Sequence, residues 1–146
     1  MAIAVVLLSP APVLAQGHEL GFGAIGTVSD PALAVGSIYA ALRTSSRTRV
    51  SGSLGAGVSS NELAWRGELL GHFLFSPEDR RKAGFYFAGG VAMVDGPFRR
   101  GYLVLTLGLE ARPSGSSGWV VEAGVGGGFR LALGYRWRWF PGLATQ

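Results

Sequence analysis

The sequence contains no cysteine. That excludes a disulfide framework, a thiolate metal site and a lipid anchor built on a cysteine behind a signal segment. It also contains no run of ~18 or more apolar residues, so it holds no candidate spanning helix. Charge is scarce, at 15% of residues against a usual ~25%. Lys82 is the one lysine among thirteen cationic side chains, and the net charge is +4. Histidine is limited to His18 and His72, which show neither HxH nor HExxH spacing, so no metal site is expected. A helical period over ten or more residues is also missing.

What the chain has in excess is glycine, 24 of 146 residues, together with short segments of strict alternation. Alternate side chains of a strand point to opposite faces, so each segment can be resolved into two sets. Eight such segments follow one another: His18–Val28, Ala32–Arg43, Arg49–Val58, Leu63–Phe75, Phe85–Val94, Tyr102–Ala111, Trp119–Gly126 and Phe129–Phe140. Between them lie short stretches of turn chemistry such as Ser29-Asp30-Pro31, Ser59-Ser60-Asn61, Asp95-Gly96-Pro97 and Gly126-Gly127-Gly128. This pattern predicts an antiparallel meander of eight strands in a single domain. Residues Met1–Ala15 read as a secretory signal, with an apolar core, prolines and small residues before Gln16, leaving residues 16–146 as the folded domain.

The two faces differ in kind. One carries Leu20 and Phe22; Val50 and Leu54; Trp65, Leu69 and Phe73; Phe85 and Phe87; Leu103, Leu105 and Leu107; Trp119 and Val121; and Tyr135, Trp137 and Trp139. Away from the strand ends it holds no charge. In the second segment both faces are apolar or small, and Leu33, Val35 and Tyr39 are assigned outward. The other face carries Glu19, Arg49, Arg66, Glu68, Glu110, Glu122, Arg130, Arg136 and Arg138, with Gly, Ala, Ser and Thr filling most remaining positions. A soluble barrel puts its apolar face inside. A membrane barrel puts it outside, because a charge near mid-membrane costs ~2–4 kcal/mol. The predicted fold is therefore all-β, an antiparallel up-and-down eight-stranded transmembrane β-barrel. Trp65, Phe73, Phe85, Phe87, Trp119, Tyr135, Trp137 and Trp139 are its lipid-facing aromatics. The nine charged residues form an ion-paired lumen, and eight strands leave an interior just wide enough for side chains to fill.

The last segment, FRLALGYRWRWF, resembles the C-terminal signature strand of bacterial outer-membrane β-barrel proteins, apolar at alternate positions and ending in an aromatic. At the level of pattern, Gln16–Phe140 resembles the small OmpA/OmpX-like barrels. The resemblance implies the outer membrane of a Gram-negative-type bacterium, contact with outer-membrane lipid, recognition of the last strand by the barrel-assembly machinery, and a monomer. With a periplasmic N-terminus, the connections Thr44–Arg47 and Arg112–Gly118 are periplasmic as well.

Other chemistries find little support. Gly21–Gly26, GFGAIG, matches a dinucleotide-binding pattern but alternates as a strand with no helix behind it. The cations form no single stripe, so no nucleic-acid partner is expected. The deacylases among small outer-membrane barrels carry a His-x-Ser pair, whereas His72 here is followed by Phe73 and Leu74, and no serine is placed as a nucleophile. No enzyme and no cofactor are expected. The leading reading is a structural or membrane-integrity role. One alternative is a small ion or solute pore. Another is a soluble periplasmic barrel that binds an apolar ligand, which requires the aromatic faces to point inward.

Overall fold

The computed structural model describes residues 17–29, 32–75, 82–97 and 99–139. The expected signal segment Met1–Ala15 and the tail Phe140–Gln146 lie outside the described residues. Eight strands occur in chain order: β1 Gly17–Val28, β2 Leu33–Arg43, β3 Thr48–Ser59, β4 Glu62–Leu74, β5 Ala83–Asp95, β6 Arg100–Ala111, β7 Ser117–Val125 and β8 Phe129–Trp139. Each pairs antiparallel with its neighbour, and β8 returns to β1, closing the barrel. The closing register runs from His18 opposite Trp139 to Val28 opposite Phe129. Closure leaves no unpaired edge.

Turn residues match the backbone they must adopt. Ser59 pairs with Glu62, so Ser60-Asn61 is a two-residue hairpin turn, and both residues have positive φ (50° and 60°). A tight turn of this hand needs φ above zero at both positions, and asparagine tolerates it well. Gly127 and Gly128 adopt φ of 82° and 124° between β7 and β8, conformations that side-chain-bearing residues seldom take. Thr44–Arg47 and Arg112–Ser116 lie at the end of the barrel that carries the first residues of β1. Ser60–Asn61 and Gly126–Gly128 lie at the opposite end, referred to below as the mouth.

Side chains alternate along every strand. Leu103 is 79% exposed, Phe85 64% and Leu105 52%, whereas Val104 and Arg49 are 0% exposed. Of the eight aromatics expected outward, Trp65, Phe73, Phe85, Phe87, Trp119, Trp137 and Trp139 are exposed. Tyr135 is half-buried on the same face, where its hydroxyl lies 2.9 Å from Ser117 Oγ. Most of these rings gather toward the end bearing the first residues of β1, with Phe22 against Trp137 (5.6 Å) and Tyr135 against Trp137 (5.3 Å). The described tryptophans and phenylalanines thus point outward, whereas the tyrosines Tyr39 and Tyr86 face the lumen.

The second strand is turned over relative to expectation. Leu33 and Val35 are buried in the lumen, Tyr39 points there too, and Ala34, Gly36, Ile38, Ala40 and Leu42 form the outer face. Packing explains it. Leu33 and Val35 join Ile25 and Ala64 in an apolar cluster, and the Tyr39 hydroxyl donates to Glu19 (3.3 Å). The same parity brings Arg43 inside, 4% exposed. The lumen is also less uniformly polar than expected. A second apolar cluster joins Leu70, Leu74, Tyr86, Val104 and Val120 across β4 to β7.

Candidate functional site

Among the described residues, the lumen collects the buried ionisable groups. All nine charged residues expected there are buried in it, and Arg43 is a tenth. Among the described residues the lumen thus holds six guanidiniums and four carboxylates.

They form two linked layers. In the layer farther from the mouth, Glu19 accepts from Arg49 Nη1 (3.1 and 3.2 Å) and from Arg43 Nε (3.3 Å), and Arg138 Nε lies 3.3 Å away. Glu110 accepts from the same Arg49 Nη1 (3.0 Å) and from Arg138 Nη2 (3.1 Å). Arg43 Nη2 also donates to the Pro113 carbonyl (2.6 Å), tying the turn after β6 to the network. In the layer toward the mouth, Glu68 accepts from Arg66 Nε (2.7 Å) and from Arg130 Nε and Nη2 (2.8 and 2.7 Å). Glu122 accepts from Arg130 Nη1 (2.8 Å), Arg136 Nη2 (3.3 Å) and the Tyr86 hydroxyl. Arg136 joins the layers, since its Nη1 lies 3.9 Å from Glu110.

Two tyrosines that the sequence reading did not single out as site residues hold the guanidiniums in place. Arg136 stacks 3.8 Å from the Tyr39 ring centre, and Arg49 sits 4.9 Å from that of Tyr86. A planar guanidinium on an aromatic face gains from both charge and dispersion. Tyr86 itself lies over Gly108 on the neighbouring strand, where a Cβ would enter the ring. Gly108→Ala is expected to push Tyr86 off this seat and weaken its bond to Glu122, at a cost of ~1–3 kcal/mol. A lowered denaturation midpoint together with altered near-ultraviolet circular dichroism would report it.

The sequence reading found no serine placed as a nucleophile, yet Ser51 Oγ lies 2.7 Å from His72 Nε2. Pairing of Arg49 with His72 across β3 and β4 explains the approach, because the lumen-facing Ser51 and His72 sit in adjacent positions of that ladder. The pair is not wired for catalysis. His72 Nδ1 faces Arg49 Nη2 (3.3 Å), and a guanidinium can only donate. Nδ1 must therefore accept, which places the proton on Nε2 and makes the histidine the donor to Ser51. A general base needs the opposite tautomer, set by a carboxylate on Nδ1. Both residues are also buried, with 4% and 3% exposure. His18 sits on the outer face at the start of β1. Among the described residues no group of three or more His, Cys, Asp or Glu could hold a metal ion. The GFGAIG stretch lies inside β1, a strand with no helix behind it.

No protein-family model and no curated protein sequence matches the chain. Among solved structures, it is similar to the N-terminal β-barrel domain of Pseudomonas aeruginosa OprF, with a TM-score of 0.67 and 14% sequence identity, covering 85% of this chain and 98% of that domain. What the two share is the architecture of a β-barrel, which in this chain is closed, antiparallel and eight-stranded.

Proposed function

We propose that the chain is a non-enzymatic outer-membrane β-barrel of a Gram-negative-type bacterium, with a structural or membrane-integrity role and a lumen closed by ion pairs. The observation that carries this reading is the reversal of the soluble pattern. The exposed surface is a continuous belt of Leu, Val, Phe and Trp, while the buried interior holds Arg49, Arg66, Arg130 and the four glutamates. Water-soluble monomers rarely expose contiguous apolar patches above a few hundred Å². Contact of the belt with lipid, and engagement of β8 by the assembly machinery, belong to the same proposal.

A second reading, a small solute pore, draws on the mouth. A vestibule of about 140 Å³ there is lined by Arg66, Arg100, Tyr102, Thr27 and Ser59. Its cationic lining would favour anions. The test has two stages. Membrane-embedded protein is expected to resist carbonate extraction and to migrate faster in detergent gels unboiled than boiled. Planar-bilayer recording is then expected to show no stable conductance steps. Reproducible steps would replace the closed-lumen reading with the pore, and a soluble, heat-insensitive protein would overturn both.

A further inference from the structure

Outside the lumen, the two ends of the barrel differ in charge. At the end opposite the mouth the exposed cations among the described residues are Arg47, Lys82 and Arg112. The described carboxylates outside the lumen, Glu62 and Asp95, both lie at the mouth, with Arg99 and Arg100. Asp95 pairs there with Arg99 (2.9 Å). Residues 76–81, which join β4 to β5, add Glu78, Asp79, Arg80 and Arg81, two of each sign, and leave the surplus of the far end unchanged. We propose, resting on the outer-membrane reading above, that this basic rim is a docking surface for anionic phospholipid, with Arg47 and Arg112 holding headgroup phosphates.

Arg47 stands where the apolar belt ends. Its Nη1 donates to the Phe75 carbonyl (3.2 Å), and its own carbonyl accepts from Leu74 N (2.7 Å). Phe75 lies against Phe73, with 5.5 Å between ring centres, and its N–H donates to the Phe85 carbonyl (3.0 Å). All three rings are exposed. A guanidinium at the edge of an exposed aromatic patch reproduces the order of a phospholipid, with acyl chains over the rings and phosphate at the cation. One bond to a carbonyl leaves most of the five N–H donors of Arg47 for phosphate oxygens, whose geometry a guanidinium matches.

Arg112 is set in place by its backbone. Its φ is 47°, a left-handed conformation that residues with a Cβ seldom adopt. Three bonds fix it there. The Arg112 N–H donates to the Lys82 carbonyl (3.0 Å), and the Arg112 carbonyl accepts from Gly115 N (2.7 Å) and Arg138 Nη1 (3.3 Å). The side chain stays exposed, with Lys82 beside it as the next step of the ladder that pairs Ala83 with Ala111. Trp119, one position past the Glu110–Val120 pair, and Trp137 and Trp139 near the end of β8 lie at this same end. Aromatic side chains gather at headgroup level, and basic residues beside them are drawn to anionic lipid.

The test measures urea unfolding of the full chain inserted in vesicles of phosphatidylcholine, or of phosphatidylcholine mixed with phosphatidylglycerol. Matched acyl chains keep the bilayer thickness the same in both. A cation beside an anionic bilayer surface contributes about a fivefold preference. The unfolding equilibrium constant of the unaltered chain is therefore expected to be about fivefold lower or more in the mixed vesicles. High salt is expected to shrink the difference by screening. Arg47→Gln/Arg112→Gln is expected to abolish most of it. Arg47→Lys/Arg112→Lys, which keeps the charge, and Arg99→Gln at the mouth are expected to retain it. A difference that survives the glutamine changes, or that ignores salt, would overturn the proposal. A chain that inserts in neutral vesicles as the fast-migrating form and shows no preference for phosphatidylglycerol would overturn it and leave the outer-membrane reading standing. A chain that inserts in neither would overturn both.

Discussion

Glu19→Ala is expected to destabilise the barrel by about 3–5 kcal/mol, the usual cost of breaking a buried ion pair by removing one partner. Glu19 is 1% exposed and compensates Arg49, Arg43 and Arg138, on three different strands. Its loss leaves Glu110 as the one carboxylate of that layer, already shared by Arg49 and Arg138. Tyr39 loses the acceptor for its hydroxyl as well. Denaturant titration of the refolded protein, read by the fraction of the fast-migrating form, measures the effect. Glu62→Gln is the control: Glu62 lies at the exposed start of β4, and its change is expected to stay within about 0.5 kcal/mol. Adding Arg49→Met to Glu19→Ala is expected to recover part of the loss, because a deleted pair leaves less uncompensated charge than a broken one. A double variant no more stable than Glu19→Ala would mean that Arg49 matters mainly through its contact with Tyr86 rather than through charge.

The boundaries and phase of most strands were legible because a two-residue period is strong when one face is apolar and the other charged. β6 illustrates it: Leu103, Leu105, Leu107 and Leu109 alternate with Thr106 and Glu110, and the two sets separate in the structure. β2 failed for the opposite reason. Leu33, Val35 and Tyr39 look outward on hydropathy alone, while its other face offers only Ala, Gly, Ile and Leu. The signal that could have decided was Arg43, which shares the parity of Leu33 and Tyr39. Placing that set outward puts an arginine on the apolar face, a cost that placing it inward avoids. The same slip hid the sixth guanidinium and made the lumen look nearly balanced.

The ionic residues were legible individually, but their pairing was not. Which arginine meets which glutamate depends on strand register and on the stagger of the closed sheet, and no spacing along the chain encodes it. Arg130 and Glu68 are 62 positions apart and share two hydrogen bonds. The Ser51–His72 contact escaped for the same reason. Its chemical meaning depended in turn on a third residue, Arg49, whose side chain fixes the histidine tautomer. Tyr86 was hidden by its neighbours. Phe85 and Phe87 mark the outer face, and nothing in the sequence says that the intervening tyrosine finds a glycine at 108 to lie on.

Leu105→Arg is expected to separate a bilayer from water as the medium of the outer belt. Leu105 lies at the middle of β6, opposite Gly89 at the middle of β5 on one side and Val125 on the other, and is 52% exposed. Its environment is therefore set by whatever surrounds the barrel rather than by the fold. In water an added arginine at such a position changes stability by no more than about 0.5 kcal/mol. Against hydrocarbon near the midplane it costs ~2–4 kcal/mol. The measurement is reversible unfolding from phospholipid vesicles, with Glu62→Arg at the strand end as the reference, where an interfacial position is expected to cost ~0–1 kcal/mol. A large loss at 105 with little at 62 places the belt across the bilayer. Equal and small losses at both would mean that the leucines and aromatics of the outer face are covered by something other than lipid, and the outer-membrane proposal would fall. The lumen chemistry would survive that outcome, because the ion pairs of Glu19, Glu68, Glu110 and Glu122 are enclosed by the barrel wall itself.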